Sequence, residues 1–458
     1  MKISEILSTQ KAFFNTDQTK DVSYRISLLK KLKKEIQLRE EDIYAALKND
    51  FNKSKFESYL SEYAIVISAL DLVIKGLNGW AKPKRVKPTM LTFPASDYIY
   101  KEPYGTVLVI GPWNYPFLLA LEPLIMAIAA GNTVVVKPSE LTPNTSNLVE
   151  DILRNVFETS HVAVVQGGVT EATVLLEQRW DYIFFTGSVA VGKIVAQAAA
   201  KHLTPVTLEL GGKSPCIIDE SANLKLVARR VVWGKFINGG QTCIAPDYLM
   251  VNVKIKEQFI QHLKEAITYA YGDNAQNSED FPRIINQRNL MRLKSMLNDV
   301  NIIYGGVIDE TDNYLSPTII DEPSISDGVM QEEIFGPILP ILSYTNEQDI
   351  EQVIQKFEKP LSFYIFSKDK PFVKRLLRKY SFGGGVVNDT LIHFGNHRLP
   401  FGGVGESGMG SYHGKKGYDT FSHSKAVSKR GNWIDPPVRY APYSGKLGLL
   451  KKMFRLFG

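Results

Sequence analysis

Cys243 is one of only two cysteines in the 458-residue chain, and it lies in the segment NGGQTCIAPDY, residues 238–248. A free cysteine is either a small buried apolar residue or a nucleophile, and most free cysteines are inert. The thiolate is the reactive form, so a nucleophile needs its ordinary pKa of about 8.5 to be effectively lowered for attack at neutral pH. Cys216, in the apolar segment KSPCIID, has no comparable neighbours, and we interpret it as structural.

Short β-branched or aromatic runs predict the elements that would position Cys243. Five of them, each followed by Gly or Pro, alternate with helical stretches at residues 106–111, 133–138, 161–168, 182–187 and 205–212. This alternation predicts a parallel sheet covered by helices. A second series begins at SPCIIDE and continues through GPILPILSY, LSFYIFS and GGGVVNDT, which predicts a second α/β domain. The fold class is therefore α/β.

Polar residues directly after these strands are candidates for binding a dinucleotide, because open parallel sheets bind ligands beyond the carboxyl ends of their strands. Lys137 and Glu140 follow the second strand, where an acidic residue commonly meets the adenosine ribose. Gly187 and Ser188 form a strand-to-helix turn that suits a pyrophosphate. Taken alone, these residues are equally an ordinary surface pair and a helix N-cap.

Two other patterns are set aside. The segment GVGESG, residues 403–408, matches G-x-G-x-x-G by letter, but it follows Pro400 rather than a strand and leads into a poor helix, so we interpret it as a glycine-rich loop. His393 and His397 have i, i+4 spacing with a glycine between them and no helical pattern. We therefore predict no metal site.

Composition limits the class of protein. With 44% hydrophobic and 22% charged residues the chain is globular, and its length suggests about three domains or two large interleaved ones. A net charge of +6 without a basic cluster on one motif argues against nucleic acid. The N-terminus lacks a signal-peptide core, and Glu122 and Pro123 interrupt the longest apolar stretch. We expect a cytoplasmic protein that does not cross a membrane.

Seven segments, in this order and at these separations, resemble the NAD(P)-dependent aldehyde dehydrogenases. The resemblance covers residues 60–440, and the short N-terminus, CIAPDY and SYHGKKGYDTFSH resemble the class 3 branch. It implies oxidation of medium- to long-chain aliphatic, isoprenoid or aromatic aldehydes to carboxylates, NAD as cofactor with NADP open, and a homodimer. The segments are GPWNYP, VVVKPSE, FTGSVAVG, LELGGKSP, GGQTCIAPDY, EEIFGP and LPFGGVGESGMG.

The resemblance assigns catalytic roles that make chemical sense. Cys243 matches the nucleophile, which forms a tetrahedral adduct able to release hydride and then a thioester. The Asn114 side-chain amide and the Cys243 backbone N–H match the oxyanion donors. Glu209 matches the base that activates water, and a carboxylate in apolar company can have its pKa raised toward the working pH. Taken alone, Asn114 would be a turn residue and Glu209 a strand-end surface residue.

The resemblance also completes the cofactor-binding set. Glu333 matches the residue that holds the nicotinamide ribose, and Phe335 matches the one that packs beside the nicotinamide. Trp113 and Gly211 join Lys137, Glu140, Gly187 and Ser188 in this set. Alone, Glu333 and Phe335 would be a loop acid and a core aromatic.

We expect residues 1–80 and 103–208 to form the dinucleotide-binding domain and 209–417 the catalytic domain. Residues 81–102 and 418–440 would form an oligomerisation arm, and 441–458 an amphipathic tail. Three other functions stay open. They are a coenzyme A-dependent acylating dehydrogenase or semialdehyde reductase of the same fold, against which Glu209 counts; a cysteine hydrolase; and a non-catalytic binding protein.

The tail KLGLLKKMFRLFG, residues 446–458, has two interpretations. On a helical wheel its apolar residues occupy one half, and Lys451, Lys452 and Arg455 the other. It is either a terminal helix docked on the body or on a dimer partner, or a peripheral anchor on the inner face of the membrane. An anchor would favour long-chain fatty or isoprenoid aldehydes. The apolar half holds Leu447, Leu449, Leu450, Met453, Phe454, Leu456 and Phe457.

Overall fold

The computed structural model describes residues 2–89 and 92–457. The helices, in chain order, are α1 Ile3–Phe14, α2 Val22–Leu38, α3 Glu40–Phe51, α4 Lys55–Ser58, α5 Ala64–Trp80, α6 Leu118–Ala130, α7 Pro143–Val156, α8 Val169–Glu177, α9 Val189–Ala200, α10 Leu224–Phe236, α11 Lys256–Tyr271, α12 Gln287–Ser295, α13 Gly328–Gln331, α14 Glu347–Ile354, α15 Lys370–Lys379, α16 Gly414–Thr420 and α17 Leu447–Phe457. A short π-helical segment, Tyr59–Tyr63, joins α4 to α5.

The strands complete the secondary structure. They are β1 Lys84–Val86, β2 Ala95–Pro103, β3 Thr106–Ile110, β4 Thr133–Lys137, β5 Val162–Val164, β6 Tyr182–Thr186, β7 Val206–Glu209, β8 Pro215–Ile218, β9 Tyr248–Asn252, β10 Ile302–Tyr304, β11 Ile308–Asp309, β12 Tyr314–Leu315, β13 Thr318–Asp321, β14 Ile338–Tyr344, β15 Ser362–Phe366, β16 Gly384–Val387, β17 Gly408–Met409 and β18 Ser422–Arg430.

Two sheets with mainly parallel strands carry the fold, which confirms the predicted α/β class. The first has the order β17-β7-β6-β3-β4-β5, in which β3 to β7 are parallel and β17 pairs with β7 antiparallel. The second has the order β10-β13-β14-β9-β8-β15-β16. A separate antiparallel sheet contains β1, β2 and β18. The five apolar runs predicted as strands are β3 to β7.

Several elements differ from the predictions. The central strand β9 was not predicted, because an unalternating apolar run such as YLMVN has no period that distinguishes a strand from a buried helix. The segment GVGESG ends in strand β17 rather than remaining a loop throughout. The residues after this segment were expected to form a poor helix, but from residue 414 they form α16 in spite of its two glycines. Tyr418 of α16 is buried in the core.

The tail forms an exposed helix. In α17 the side chains of Leu447 and Leu449 are 62% and 55% exposed, so these residues are not docked on the body of the same chain. The predictions for the side chains of Leu456 and Phe457 and for Gly458 lie outside the described part of the chain. None of the described helices combines the length and apolar character that crossing a bilayer requires.

Helix α6 is buried on every side, as expected for a helix that is apolar apart from Glu122. Its N-terminus needs acceptors for its free N–H groups, and Glu62 supplies one: the Phe117 and Leu118 amides donate to Glu62 Oε2 at 2.9 and 3.1 Å. Glu62 Oε1 accepts from Lys53 Nζ at 2.7 Å, and both side chains are fully buried. A buried ion pair thus fixes the start of α6.

We expect Glu62→Gln to lower the free energy of unfolding by about 3–5 kcal/mol, because it leaves the Lys53 charge buried and unpaired. Lys55→Gln is the matched control: its ion pair with Glu41 is 64% and 75% exposed, so the loss should be at most about 1 kcal/mol. Urea denaturation followed by circular dichroism measures both. Equal effects of the two substitutions would contradict this account of the buried pair.

Candidate active site

The loop after β3 carries Trp113 and Asn114 to the start of α6. Asn114 is buried, at 3% exposure, and its Nδ2 donates to the Gln241 carbonyl oxygen at 3.0 Å. Its own carbonyl oxygen accepts from Asn238 Nδ2 at 2.8 Å. Asn114 is therefore joined twice to the loop that carries Cys243, and one of its two amide hydrogens is used in that junction.

The Cys243 loop begins with three consecutive residues in the left-handed region: Asn238, Gly239 and Gly240 have φ of 55°, 61° and 74°. Asparagine and glycine tolerate this conformation best. At Gly240 a side chain is also excluded by space, because a Cβ would collide with the Gly336 carbonyl oxygen. The letters NGG are thus explained by the tight turn before the cysteine.

Gln241 holds the turn in place. Its Nε2 donates to the Asn238 and Arg283 carbonyl oxygens at 3.0 Å each, and its Oε1 accepts from the Ile285 amide at 3.0 Å. On the next residue, Thr242 Oγ1 lies 2.6 Å from the Tyr115 hydroxyl oxygen. Side-chain hydrogen bonds therefore fix the loop directly before Cys243.

Cys243 and Glu209 line one cavity of about 390 Å³. Its wall is mainly apolar and aromatic, with residues such as Leu119, Trp233 and Phe401. Glu209 ends β7 and is 2% exposed. The wall of this cavity suits an apolar molecule beside the thiol and the carboxylate.

Burial controls the protonation of both groups. It raises the pKa of Glu209 well above the ordinary carboxyl value, and the charge of Glu122 raises it further. Burial also raises the pKa of the Cys243 thiol, with added contributions from Glu333 and Glu209. Nucleophilic attack needs the thiolate, and a lowered thiol pKa would favour that form. Burial instead raises the pKa of Cys243, so attack by this residue would need a base that takes the thiol proton.

Lys137 and Glu140 form an ion pair of 2.6 Å at the carboxyl end of β4. Burial alone would raise the pKa of Glu140, but the hydrogen bond and charge of Lys137 outweigh it, and the pKa is lowered. Ser188 is the N-cap of α9, with Oγ accepting from the Val191 amide at 3.4 Å. The Gly187 amide donates to the Glu209 carbonyl oxygen at 3.0 Å, so the α9 turn adjoins the end of β7.

Glu333, Gly211, Phe335 and Trp113 form a second group. The carboxylate of Glu333 occupies the space where a Cβ on Gly211 would lie, so a side chain at residue 211 would displace that carboxylate. Burial, followed by the charge of Asp247, raises the pKa of Glu333 to about 8. The Phe335 and Trp113 rings meet edge to face with centroids 5.3 Å apart.

The residues predicted to bind a cofactor fit a dinucleotide. Strands β3, β4, β6 and β7 are parallel, and Ile110 pairs with Lys137 and Thr186 with Glu209 at their carboxyl ends. The N-terminus of α9 offers N–H groups suited to a pyrophosphate at this edge.

Sequence reasoning missed several residues that build the site. Glu57, Glu62 and Gln241 hold the two loops by hydrogen bonds from buried side chains. His397 and His413 were not associated with Glu122, since they lie far away in the chain. One signal was present: Glu122 is the single charged residue in an otherwise apolar helix.

Comparison with known proteins places the chain in a family. Residues 2–427 match the model of the aldehyde dehydrogenase family. The chain is 48% identical to the 4,4'-diaponeurosporen-aldehyde dehydrogenase of Staphylococcus aureus over 97% of each chain. It is 43% identical to the dimeric NADP-preferring aldehyde dehydrogenase of Canis lupus familiaris, over 97% of this chain and 99% of that protein.

A solved structure agrees with the sequence comparisons. The substrate-bound state of Staphylococcus aureus AldH superposes with a TM-score of 0.97 at 47% identity, covering 99% of this chain and 100% of that one. The chain belongs to the aldehyde dehydrogenase family and is an NAD(P)-dependent aldehyde dehydrogenase.

Proposed function

We propose that Cys243 attacks the aldehyde carbon from the wall of the apolar cavity and carries the acyl group until water releases it. The observation that carries the proposal is the presence of Cys243 and Glu209 on one cavity. Attack converts the planar carbonyl into a tetrahedral adduct with a carbon–sulfur bond and an anionic oxygen. The remaining Asn114 amide hydrogen and the Cys243 backbone N–H are the proposed donors to that oxygen.

The thiol proton has to leave before attack. Glu209 and Glu333, which both act electrostatically on Cys243, are the bases we propose for this step, because a carboxylate of raised pKa accepts a proton more readily. NAD(P)+, when bound, accepts the hydride from the adduct. The proposed holders of that cofactor are Trp113, Lys137, Glu140, Gly187, Ser188, Gly211, Glu333 and Phe335.

We propose Glu209 as the base of the second half-reaction. It takes a proton from water, the resulting hydroxide attacks the thioester carbon, and the Cys243 thiolate leaves with the carbon–sulfur electron pair. Only ionised Glu209 can act as this base. Because its pKa is raised, the ionised fraction falls as the pH is lowered through a range above that of ordinary carboxyl groups.

The apolar wall supports a medium- or long-chain aliphatic, isoprenoid or aromatic aldehyde as substrate. The relative named for 4,4'-diaponeurosporen-aldehyde favours the long end of this range.

We also propose a homodimer and the domain division expected from the sequence. Strands β16 and β18 each lie at the edge of a sheet and offer free backbone groups for pairing with a second chain. A similar protein is named dimeric. The division is supported by the separate sheets, although β17, from residues 408–409, joins the sheet of the proposed dinucleotide-binding domain.

Glu209→Gln should give a burst of NADH of about one equivalent per active site and then stall, because Glu333 can still take the thiol proton for acylation and hydride transfer while thioester hydrolysis slows. Stopped-flow absorbance with a short aldehyde and no coenzyme A measures the burst. Glu406→Gln, an exposed acid paired with Lys193 outside the cavity wall, is the control and should turn over steadily. Steady turnover by Glu209→Gln at the wild-type rate would remove Glu209 from the role of base.

We propose that α17 lies on anionic membranes with its apolar half among the lipids. Its exposed leucines, with Lys451, Lys452 and Arg455 on the other half, support an interfacial helix. The competing interpretation is that α17 covers a dimer partner.

Deleting residues 446–458 should weaken sedimentation with anionic liposomes, most strongly at low salt where charge attraction is least screened. Oxidation of a long-chain aldehyde presented in liposomes should fall, and oxidation of a short aldehyde in solution should be retained. Light scattering of the same samples reports the oligomeric state. Unchanged liposome binding would end the membrane proposal, and loss of the dimer would favour the docked helix.

A further inference from the structure

Glu122, His397 and His413 meet beside the aldehyde cavity, although they come from three distant parts of the chain. His397 Nδ1 lies 3.5 Å from Glu122 Oε1, and His413 Nε2 lies 3.6 Å from Glu122 Oε2. One ligand atom from each residue falls within 4.8 Å of the others. We call this group the Glu122–His397–His413 cluster.

Hydrogen bonds within the protein do not satisfy the cluster. Both oxygens of Glu122, Nδ1 of His397 and both ring nitrogens of His413 are buried, and none of them has a hydrogen-bond partner among the described residues. N–H···O bonds usually span about 2.7–3.2 Å, so separations of 3.5 and 3.6 Å are too long for good ones. The cluster therefore has unused ligand atoms that lie within 4.8 Å of one another.

Burial makes this arrangement costly unless a cation is present. Glu122 is 0% and His413 1% exposed, and within the described residues no lysine or arginine forms an ion pair with Glu122. A buried carboxylate is normally paired or bound to a metal. A divalent ion would compensate the carboxylate while both imidazoles remain neutral ligands.

The distances suit a metal ion. Ligand atoms about 2.0–2.1 Å from a tetrahedral Zn²⁺ lie about 3.3 Å apart, and the two histidine–carboxylate separations of 3.5 and 3.6 Å, each to a different oxygen of Glu122, are close to that value. Two imidazole nitrogens and a carboxylate are a donor set that Zn²⁺ and its neighbours among the transition metals accept. We propose that the Glu122–His397–His413 cluster binds a divalent transition-metal ion with three protein ligands and one open position.

The position of the cluster gives the ion a consequence for the enzyme. His397 lines the cavity that contains Cys243 and Glu209, so a bound ion adjoins the space for the aldehyde. Metal occupancy would then modulate aldehyde binding from a site separate from the cofactor. The i, i+4 pair considered in the sequence is not the ligand pair, because His413 and Glu122, rather than His393, accompany His397.

The binding experiment uses the full-length Cys243→Ala enzyme, because cysteine thiolates in general bind Zn²⁺ and Cys243 would add a competing ligand. The protein is stripped with a chelator and equilibrated with Zn²⁺ by dialysis, and bound metal is measured by elemental analysis. We expect one Zn²⁺ per chain that is lost, or bound at least about tenfold more weakly, in the additional variant His397→Gln. His393→Gln, four residues away and outside the cluster, should bind like the parent.

Two further measurements keep the result decisive. Co²⁺ bound at the cluster should show d–d absorbance without a sulfur-to-metal charge-transfer band, which distinguishes it from ligation by Cys216. Glu122→Gln should lose the ion as His397→Gln does, and if it fails to fold, His397→Gln at the cavity wall decides. Equal Zn²⁺ binding by parent, His397→Gln and His393→Gln, or no binding by the parent, would overturn the proposal and leave the cluster a carboxylate–imidazole contact only.

Discussion

The geometry of the site depends on two buried carboxylates of the N-terminal helices. Glu62 accepts from the Phe117 and Leu118 amides at the start of α6, and Glu57 Oε1 accepts from the Asn238 amide at 2.8 Å. Glu57 and Glu62 lie five residues apart in the chain, so the loop that carries Asn114 and the loop that carries Cys243 are held by one short segment. The bonds from Asn114 to Gln241 and from Asn238 to Asn114 then join the two loops directly.

The same burial that fixes the loops sets the chemistry of the cavity. Glu209, Glu333 and Cys243 all have raised pKa values, so each favours its neutral form. A thiol in such surroundings is not a spontaneous nucleophile, and in the proposed mechanism its proton passes to the ionised form of Glu209 or Glu333. In return, a carboxylate whose pKa is raised is a stronger base toward water, which suits the proposed hydrolysis of the thioester.

The sequence predicted the parts of this structure that repeat a local pattern. Strands β3, β4, β6 and β7 could be predicted because each is an apolar stretch followed closely by Gly or Pro. Their carboxyl ends lead to Trp113, Lys137, Gly187 and Gly211. Resemblance supplied the roles of Cys243 and Glu209, which their own surroundings in the sequence did not decide. Contacts across the chain were not accessible, since nothing local in the sequence connects Glu57 to Asn238 or Glu122 to His413. The unfavourable electrostatics of Cys243 also depends on burial that only the fold reveals.

The central claim is that Cys243, rather than Cys216, carries the acyl group during aldehyde oxidation. Acid quenching of the wild-type enzyme during turnover with NAD and an aldehyde, followed by proteolysis and mass spectrometry, measures it directly. The account predicts the mass of the acyl group on the peptide that contains Cys243, at increased occupancy when hydrolysis is slowed, and none on the Cys216 peptide. An acyl group on Cys216, or steady turnover by Cys243→Ala, would contradict the account.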